Sequence, residues 1–262
     1  MVAVVDSNDY DDYNDKMKDR LDNLLVLRGL AESKEQAQRM ILAGSVRVHN
    51  SPNAKAGQKF ADDIAIEVVA RPRFVSRGGE KLEGAFEAFG LNVEGLDCLD
   101  VGASTGGFTD CLLQHGAKRV ISLDVGKNQF HPRLRNDPRV TVIEGFNARY
   151  MTVADLPYSP QFAVTDVSFI SLRLILPPIV AVLPPASQII SLIKPQFEAG
   201  REHAPKGVVR DPAVHQKVVD DICAFARDTL RLDCLGIERS PLLGPEGNVE
   251  FLAWWRTPIG AL

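Results

Sequence analysis

The chain has 262 residues, 45% of them hydrophobic and 24% charged, with a formal net charge of −4. These values describe a globular protein of one or two domains. They do not announce a nucleic-acid binder, and four cysteines without a CxxC pair exclude a disulfide scaffold. Charge is nevertheless unevenly spread: residues 1–15 hold five Asp and no Lys or Arg, whereas residues 16–59 hold nine Lys/Arg against four Asp/Glu. A local basic face can recruit phosphate backbones while the whole chain stays acidic.

In chain order, the acidic start with its interleaved Asn and Tyr predicts a disordered tail over 1–18, with neither the basic flank nor the apolar core of a secretory signal. Leu21, Leu24, Leu25 and Arg28 fall at helical intervals, and Gly29 closes that helix. Ser33 caps a second helix with Gln36 as its capping-box partner; Ala37, Met40 and Ile41 form the apolar face and Gly44 ends it. Ser45–Asn50 alternates as a short strand, Ser51-Pro52-Asn53 turns, and Ile64–Val69 forms another strand. Two short helices and a small sheet make an α+β domain over 19–69. Arg20, Lys34, Arg39 and Arg47 emerge near one edge of it, a basic face of the kind that recruits phosphate backbones. A basic, proline-stiffened linker over 70–75 contains Arg71 and Arg73, and with Arg77 these extend the candidate RNA-binding surface.

The second module, 76–262, alternates strand and helix patterns, as a largely parallel α/β sheet requires. Its seven expected strands are Leu96–Val101, Arg119–Asp124, Val140–Glu144, Phe162–Asp166, Gln188–Ile193, Cys234–Glu238 and Val249–Trp255. The last two flank a turn-rich stretch and are expected to pair as an antiparallel edge hairpin. The longest apolar run, Leu174–Pro185, is interrupted by two Pro-Pro pairs and too short to span a bilayer, so no membrane role is expected. The cysteines are expected to be reduced, mostly buried thiols, which suits the cytoplasm.

After the first of these strands comes DVGASTGGFTD, Asp100 to Asp110, the most informative stretch of the chain. A strand ending in Asp-x-Gly and turning through further glycines lets the backbone approach a bound nucleoside. The spacing is not the GxGxxG that admits a pyrophosphate. It suits S-adenosylmethionine, with Asp100, Gly102, Ser104, Gly106, Gly107 and Phe108 as candidate contacts. Asp124 closes the second strand eighteen residues after Gly106, placed to accept hydrogen bonds from ribose hydroxyls.

Four further residues carry candidate chemistry. Asp166 closes the fourth strand and Lys194 the fifth, and open parallel sheets bind ligands beyond those carboxyl ends. Glu250 stands within the last strand among apolar neighbours, where a carboxylate needs a partner or a task. Lys81, in SRGGEKL, opens the helix before the first strand. The loop His203–Asp211 is basic, and Lys206 and Arg210 are candidate RNA contacts. His203 and His215 have no metal-ligand companion, and no metal is expected.

The sequence RLDNLLVLRGLAESKEQAQRMILAGSVRVHN resembles the αL RNA-binding motif first recognised in a ribosomal protein of the small subunit. The second module resembles the FtsJ-like RNA ribose 2′-O-methyltransferases, whose lysine–aspartate–lysine–glutamate tetrad matches Lys81, Asp166, Lys194 and Glu250. With SRGGEKL, DVGASTGGFTD, DVSFIS, IKPQFE, KGVVRDP and GNVEF in order behind an αL module, the chain resembles the TlyA branch, historically called hemolysin A. The resemblance implies a seven-stranded Rossmann-like sheet, S-adenosylmethionine as cofactor, Asn147 near the adenine, and a cytidine ribose of ribosomal RNA as substrate. Gly145-Phe146 depart from the family, standing where relatives often carry Arg-Thr. Lys194 is then the candidate base. A neighbouring cation, Lys81, and burial favour the neutral amine that a base requires, whereas the two carboxylates oppose it. The competing reading is an RNA-binding ribosome-assembly factor with an inactive methyltransferase domain.

Overall fold

The computed structural model describes residues 18–42, 45–49, 51, 54–68, 73–200 and 202–260. The acidic segment 1–17, Gly44, the Pro52-Asn53 turn and Arg71 with the rest of 69–72 lie outside the described residues. The chain divides into two compact units, Met1–Pro72 and Arg73–Leu262.

In the first unit, β1 (Lys18–Arg20) leads directly into α1 (Leu21–Leu27), followed by α2 (Lys34–Leu42), β2 (Val46–Val48), β3 (Lys59–Ala61) and β4 (Ile66–Val68). Strand β1 pairs antiparallel with β3, and β2 with β4. The small sheet is therefore two ribbons, and β1 and β3, three residues each, are too short to leave an alternation in the sequence. Leu25, Ala31 and Ala37 form the buried contact between the helices. Ser33 caps α2 as the sequence implies, its Oγ accepting from Gln36 N at 3.2 Å, but the returning arm reaches one residue further back: Gln36 Oε1 accepts from Glu32 N at 2.6 Å. Arg28 closes the unit by donating to the carbonyls of Ile64 and Asp62.

The second unit opens with α3 (Gly78–Phe89), β5 (Asp97–Val101), α4 (Gly107–Gln114), β6 (Arg119–Asp124), α5 (Pro132–Arg135), β7 (Val140–Glu144) and β8 (Phe162–Thr165). It continues with α6 (Leu172–Val182), β9 (Gln188–Ile193), α7 (Pro195–Glu198), α8 (Pro212–Leu230), β10 (Asp233–Arg239) and β11 (Phe251–Arg256). The seven strands lie in the order β10-β11-β9-β8-β5-β6-β7, with β5 to β9 parallel and β10 and β11 antiparallel at one edge. The parallel strands read as near-continuous apolar runs because both faces are covered. Alternate residues divide between two cores: Leu99, Ile121 and Ala163 pack with α6 and α8, whereas Cys98, Val120 and Phe162 pack with α3 and α4. No described helix is long and apolar enough to cross a membrane.

Strand order reverses beside β5, which lies between β6 and β8. Crevices outside the carboxyl ends of strands open at such a switch point. Most boundaries shift by a residue or two from the sequence expectation, and three of the differences fall at the crevice. The helix after the glycine loop begins at Gly107 rather than Cys111, Asp166 follows β8 instead of ending it, and Glu250 precedes β11 instead of lying within it. Cys98 and Cys111 are buried and Cys223 partly so, but Cys234 is exposed on the edge strand; all four are free.

Candidate active site

Two cavities of about 470 and 490 Å³ open at the switch point, sharing Gly102, Ser104, Asp166 and Ser168 in their walls. In the loop after β5, Gly102 has φ +85° and a Cβ there would lie 3.0 Å from the Asp166 carbonyl oxygen, so only glycine lets the two strand ends approach this closely. Gly106, φ +96°, makes the turn into α4.

The candidate cofactor contacts separate on this geometry. Gly102 and Ser104 line both cavities, Gly107 and Phe108 the first, Asp124 and Asn147 the second. The second cavity also has apolar walls from Val125, Phe146, Val167 and Ile175, so Phe146, one of the family departures, contributes surface there. Asp124 anchors the loop as well: Oδ2 accepts from Ser104 N at 2.7 Å and Oδ1 from Gly126 N at 2.6 Å. Asp100 and Gly106 line neither cavity. Asp100 is fully buried beneath the loop, accepting from Thr109 Oγ1 at 2.7 Å, and Thr109 shares a 2.7 Å hydrogen bond with Ser122. Burial pushes the Asp100 carboxyl up to about 7, opposed by the Thr109 hydrogen bond. It lies under the cradle loop, bonded to α4 through Thr109.

The first cavity holds Lys81, Asp166 and Lys194 in its wall. Lys194 Nζ lies 2.5 Å from Asp166 Oδ1 and donates to Ser168 Oγ at 3.0 Å. The Asp166 contact is an ion pair whose direction is poor for a hydrogen bond, and Oδ1 has no hydrogen-bond partner. Lys81 Nζ lies 3.7 Å from Asp166 Oδ2 and donates to Glu250 Oε2 at 2.6 Å. Lys81, Lys194 and Glu250 are 9%, 6% and 1% exposed. Charges this buried persist only when paired, and here they form one chain, Lys194–Asp166–Lys81–Glu250. Residues up to 169 positions apart are brought together because α3 precedes the central strand and the other three groups follow β8, follow β9 and precede β11.

Several side chains at this site carry no distinguishing signal in the sequence. Phe169 is 91% exposed with φ +63°, and its ring lies 5.1 Å from that of Phe197 beside the second cavity. An aromatic left in water in a left-handed conformation is a feature to explain by function. Glu198 accepts from Ser171 Oγ at 2.6 Å and Leu172 N at 2.7 Å, tying the DVSFIS loop to α7; burial raises its carboxyl, opposed by those hydrogen bonds. Asn248 links two loops, donating to Gly207 O at 3.0 Å and accepting from Val209 N at 3.1 Å.

The candidate RNA contacts also sort. Lys34, Arg39 and Arg47 are exposed on the first unit, and Arg77, Lys206 and Arg210 on the second. Arg20 is committed elsewhere: its guanidinium makes a two-point pair with buried Asp22 at 2.9 and 2.7 Å, holding that carboxyl well below the usual range. Arg73 pairs with Glu83 at 2.5 Å. Glu83 also meets His115 at 2.8 Å and the Cys111 thiol at 3.7 Å, a donor trio of metal-ligating types. Arg73 already neutralises that carboxylate, so the trio is accounted for as an ion-pair network.

A seven-stranded doubly wound sheet with an antiparallel edge hairpin, a glycine cradle at its switch point and buried paired lysines beside it defines a Rossmann-like methyltransferase. Residues 74–257 match the FtsJ-like methyltransferase family and residues 19–52 match the S4 domain. The chain belongs to the FtsJ-like methyltransferase family, in its TlyA (hemolysin A) branch. It is 45% identical over 241 residues to the 16S/23S rRNA (cytidine-2′-O)-methyltransferase TlyA of Mycobacterium tuberculosis, covering 91% of this chain and 90% of that one. It is 45% identical to hemolysin A of Brachyspira hyodysenteriae, covering 89% of this chain and 98% of the relative. A solved structure of a hemolysin-type protein from Streptococcus thermophilus superposes with a TM-score of 0.72 at 44% identity, covering 92% of this chain and 89% of that one.

Proposed function

We propose that this protein transfers a methyl group from S-adenosylmethionine to the ribose 2′-OH of a cytidine in ribosomal RNA. The observation that carries this reading is the convergence of Lys81, Asp166, Lys194 and Glu250 where the two cavities meet. The residues present fit the cofactor. Gly102 forms a cradle that a Cβ would fill, Asp124 and Asn147 offer polar contacts, and Phe146, Val125 and Ile175 supply an apolar wall. Bound S-adenosylmethionine supplies the electrophilic methyl group.

A ribose hydroxyl is a poor nucleophile at neutral pH, so a base must take its proton during attack. Lys194 is that base, in the wall of the first cavity, after its own ammonium proton has passed to Asp166 or solvent. Asp166 holds Lys194, and Lys81 bridges Asp166 to Glu250, so displacement of one group disturbs the rest. Much of the acceleration comes from alignment of the bound hydroxyl and methyl donor. The exposed ring of Phe169 offers a stacking surface for an unpaired base.

The reading assigns RNA capture to residues 19–69, with Lys34, Arg39 and Arg47 on phosphates, a linker role to 70–75, and methyl transfer to 76–262. Arg77, Lys206 and Arg210 contact RNA from the second unit. The inactive assembly-factor reading is not favoured, because all four tetrad groups are present and paired. The test is S-adenosylmethionine calorimetry combined with transfer assays on ribosomal subunits for wild type, Lys194→Ala and Lys194→Arg. Retained cofactor binding with transfer abolished in both variants is expected. Near wild-type turnover in both would reject the assignment.

A further inference from the structure

The turn from Lys194 through Glu198 sends four side chains to four parts of the site: Lys194 to Asp166 and Ser168, Gln196 to Glu250, Phe197 to Phe169, and Glu198 to Ser171 and Leu172. Gln196 stands apart from the others. Its Nε2 donates to Glu250 Oε1 at 3.2 Å, but its own Oε1 is buried and has no hydrogen-bond partner. Rotating the amide does not help, since an acceptor would then face the carboxylate. A buried carbonyl without a partner carries an uncompensated desolvation cost. An apolar side chain of similar size would avoid that cost but would take from the buried Glu250 Oε1 its Gln196 donor, so the use of glutamine here lies in what it does for Glu250.

Glu250 supplies the reason. Lys81 holds its Oε2 at 2.6 Å and Gln196 holds its Oε1, so the two donors fix the carboxylate from both ends. We infer that Gln196 is a positioning residue for methyl transfer, fixing Glu250 and through it Lys81 while its own carbonyl stays unpaired. This follows the pattern in which a site keeps a locally unfavourable group for its geometry. The inference rests on the role proposed for Glu250.

The test uses the full chain with Gln196→Met, which keeps the volume and removes both amide ends, and Gln196→Ala, which also leaves space. Turnover, KM for ribosomal RNA, S-adenosylmethionine affinity and melting temperature are measured for each. In both variants kcat is expected to fall about tenfold, with KM and cofactor affinity within about twofold. Gln196→Met removes both a buried unpaired carbonyl and a donor to Glu250, opposing effects that are expected to leave its melting temperature close to wild type. Unchanged kcat in both variants overturns the inference, and so does a kcat loss in Gln196→Met accompanied by an equal loss of cofactor affinity or rise in KM, the mark of a general structural role. Glu250→Ala assayed in parallel separates the two readings. Full activity there would remove the role of Glu250 itself, whereas an inactive Glu250→Ala beside a fully active Gln196→Met would sink only the inference about Gln196.

Discussion

Lys194 and Asp100 show how differently two charged groups can use the same strand ends. Lys194, 6% exposed and paired with Asp166, faces the cavity wall. Its loss should lower kcat by about 10²–10⁴-fold, the usual contribution of a positioned base, and Lys194→Arg should fail similarly because a guanidinium does not deprotonate. Transfer assays on ribosomal RNA with cofactor binding as control check this. Asp100 lies under the loop with its carboxyl pushed up to about 7. A carboxyl raised on folding gives stability that is fully present below its unfolded value, near 3.8, and lost as pH rises through about 7. Asp100→Asn should therefore lose less stability than wild type between pH 5 and pH 8, measured by urea unfolding; parallel declines would contradict the assignment. Asp166 and Lys194 are legible in the sequence as groups at strand ends, whereas the four residues are legible as one set only through the resemblance to FtsJ-like methyltransferases. The burial of Asp100 is not legible for a physical reason: its Asp-x-Gly context shows that the loop turns, not which side of the turn its carboxylate faces. Phe169 and Gln196 were not legible as site residues, since an aromatic or an amide in a loop declares its role only through exposure and partners.

The crossing of α3 and α4 is the element on which the site depends, since α3 carries Lys81 and α4 starts at the glycine cradle. A Cβ on Gly107 would lie 2.4 Å from Ser76 Oγ and 2.8 Å from Gly79 N, and one on Gly79 would lie 2.2 Å from the Phe74 ring. These glycines set how closely the helices pack. Gly107→Ala should cost about 1–3 kcal/mol by overpacking and should reduce transfer through Lys81, as urea unfolding and turnover would show. An unchanged midpoint would mean that the helices separate freely. The parallel strands were readable to within one or two residues, because apolar runs between turns define them. The short ribbons β1 and β3 were not, since three-residue strands, Lys18-Asp19-Arg20 and Lys59-Phe60-Ala61, have no period to detect.

Over the whole molecule, the acidic average hides a division of labour that the local charge count exposes. Residues 16–59 carry the basic excess, and Lys34, Arg39 and Arg47 leave their charges in solvent. Reversing all three to Glu in the full chain should weaken binding to ribosomal RNA and reduce the dependence of log K on log salt by about 2, with cofactor affinity unchanged. Filter binding across a salt series tests this, and an unaltered slope would remove the first unit from the RNA surface. Arg20 shares their charge in the sequence, which shows a charge but not its partner. Its pairing with buried Asp22 predicts that Arg20→Ala acts through folding of the first unit.

In the proposed function, a nucleoside cradle is joined to a chain of paired lysines and carboxylates that activates a ribose hydroxyl. The most direct measurement is nucleoside mass spectrometry of ribosomal RNA after incubation with purified protein and isotope-labelled S-adenosylmethionine. The label is predicted in 2′-O-methylcytidine with wild type and absent with Lys194→Ala. Label on a nucleobase, or equal ribose labelling by both proteins, would contradict it.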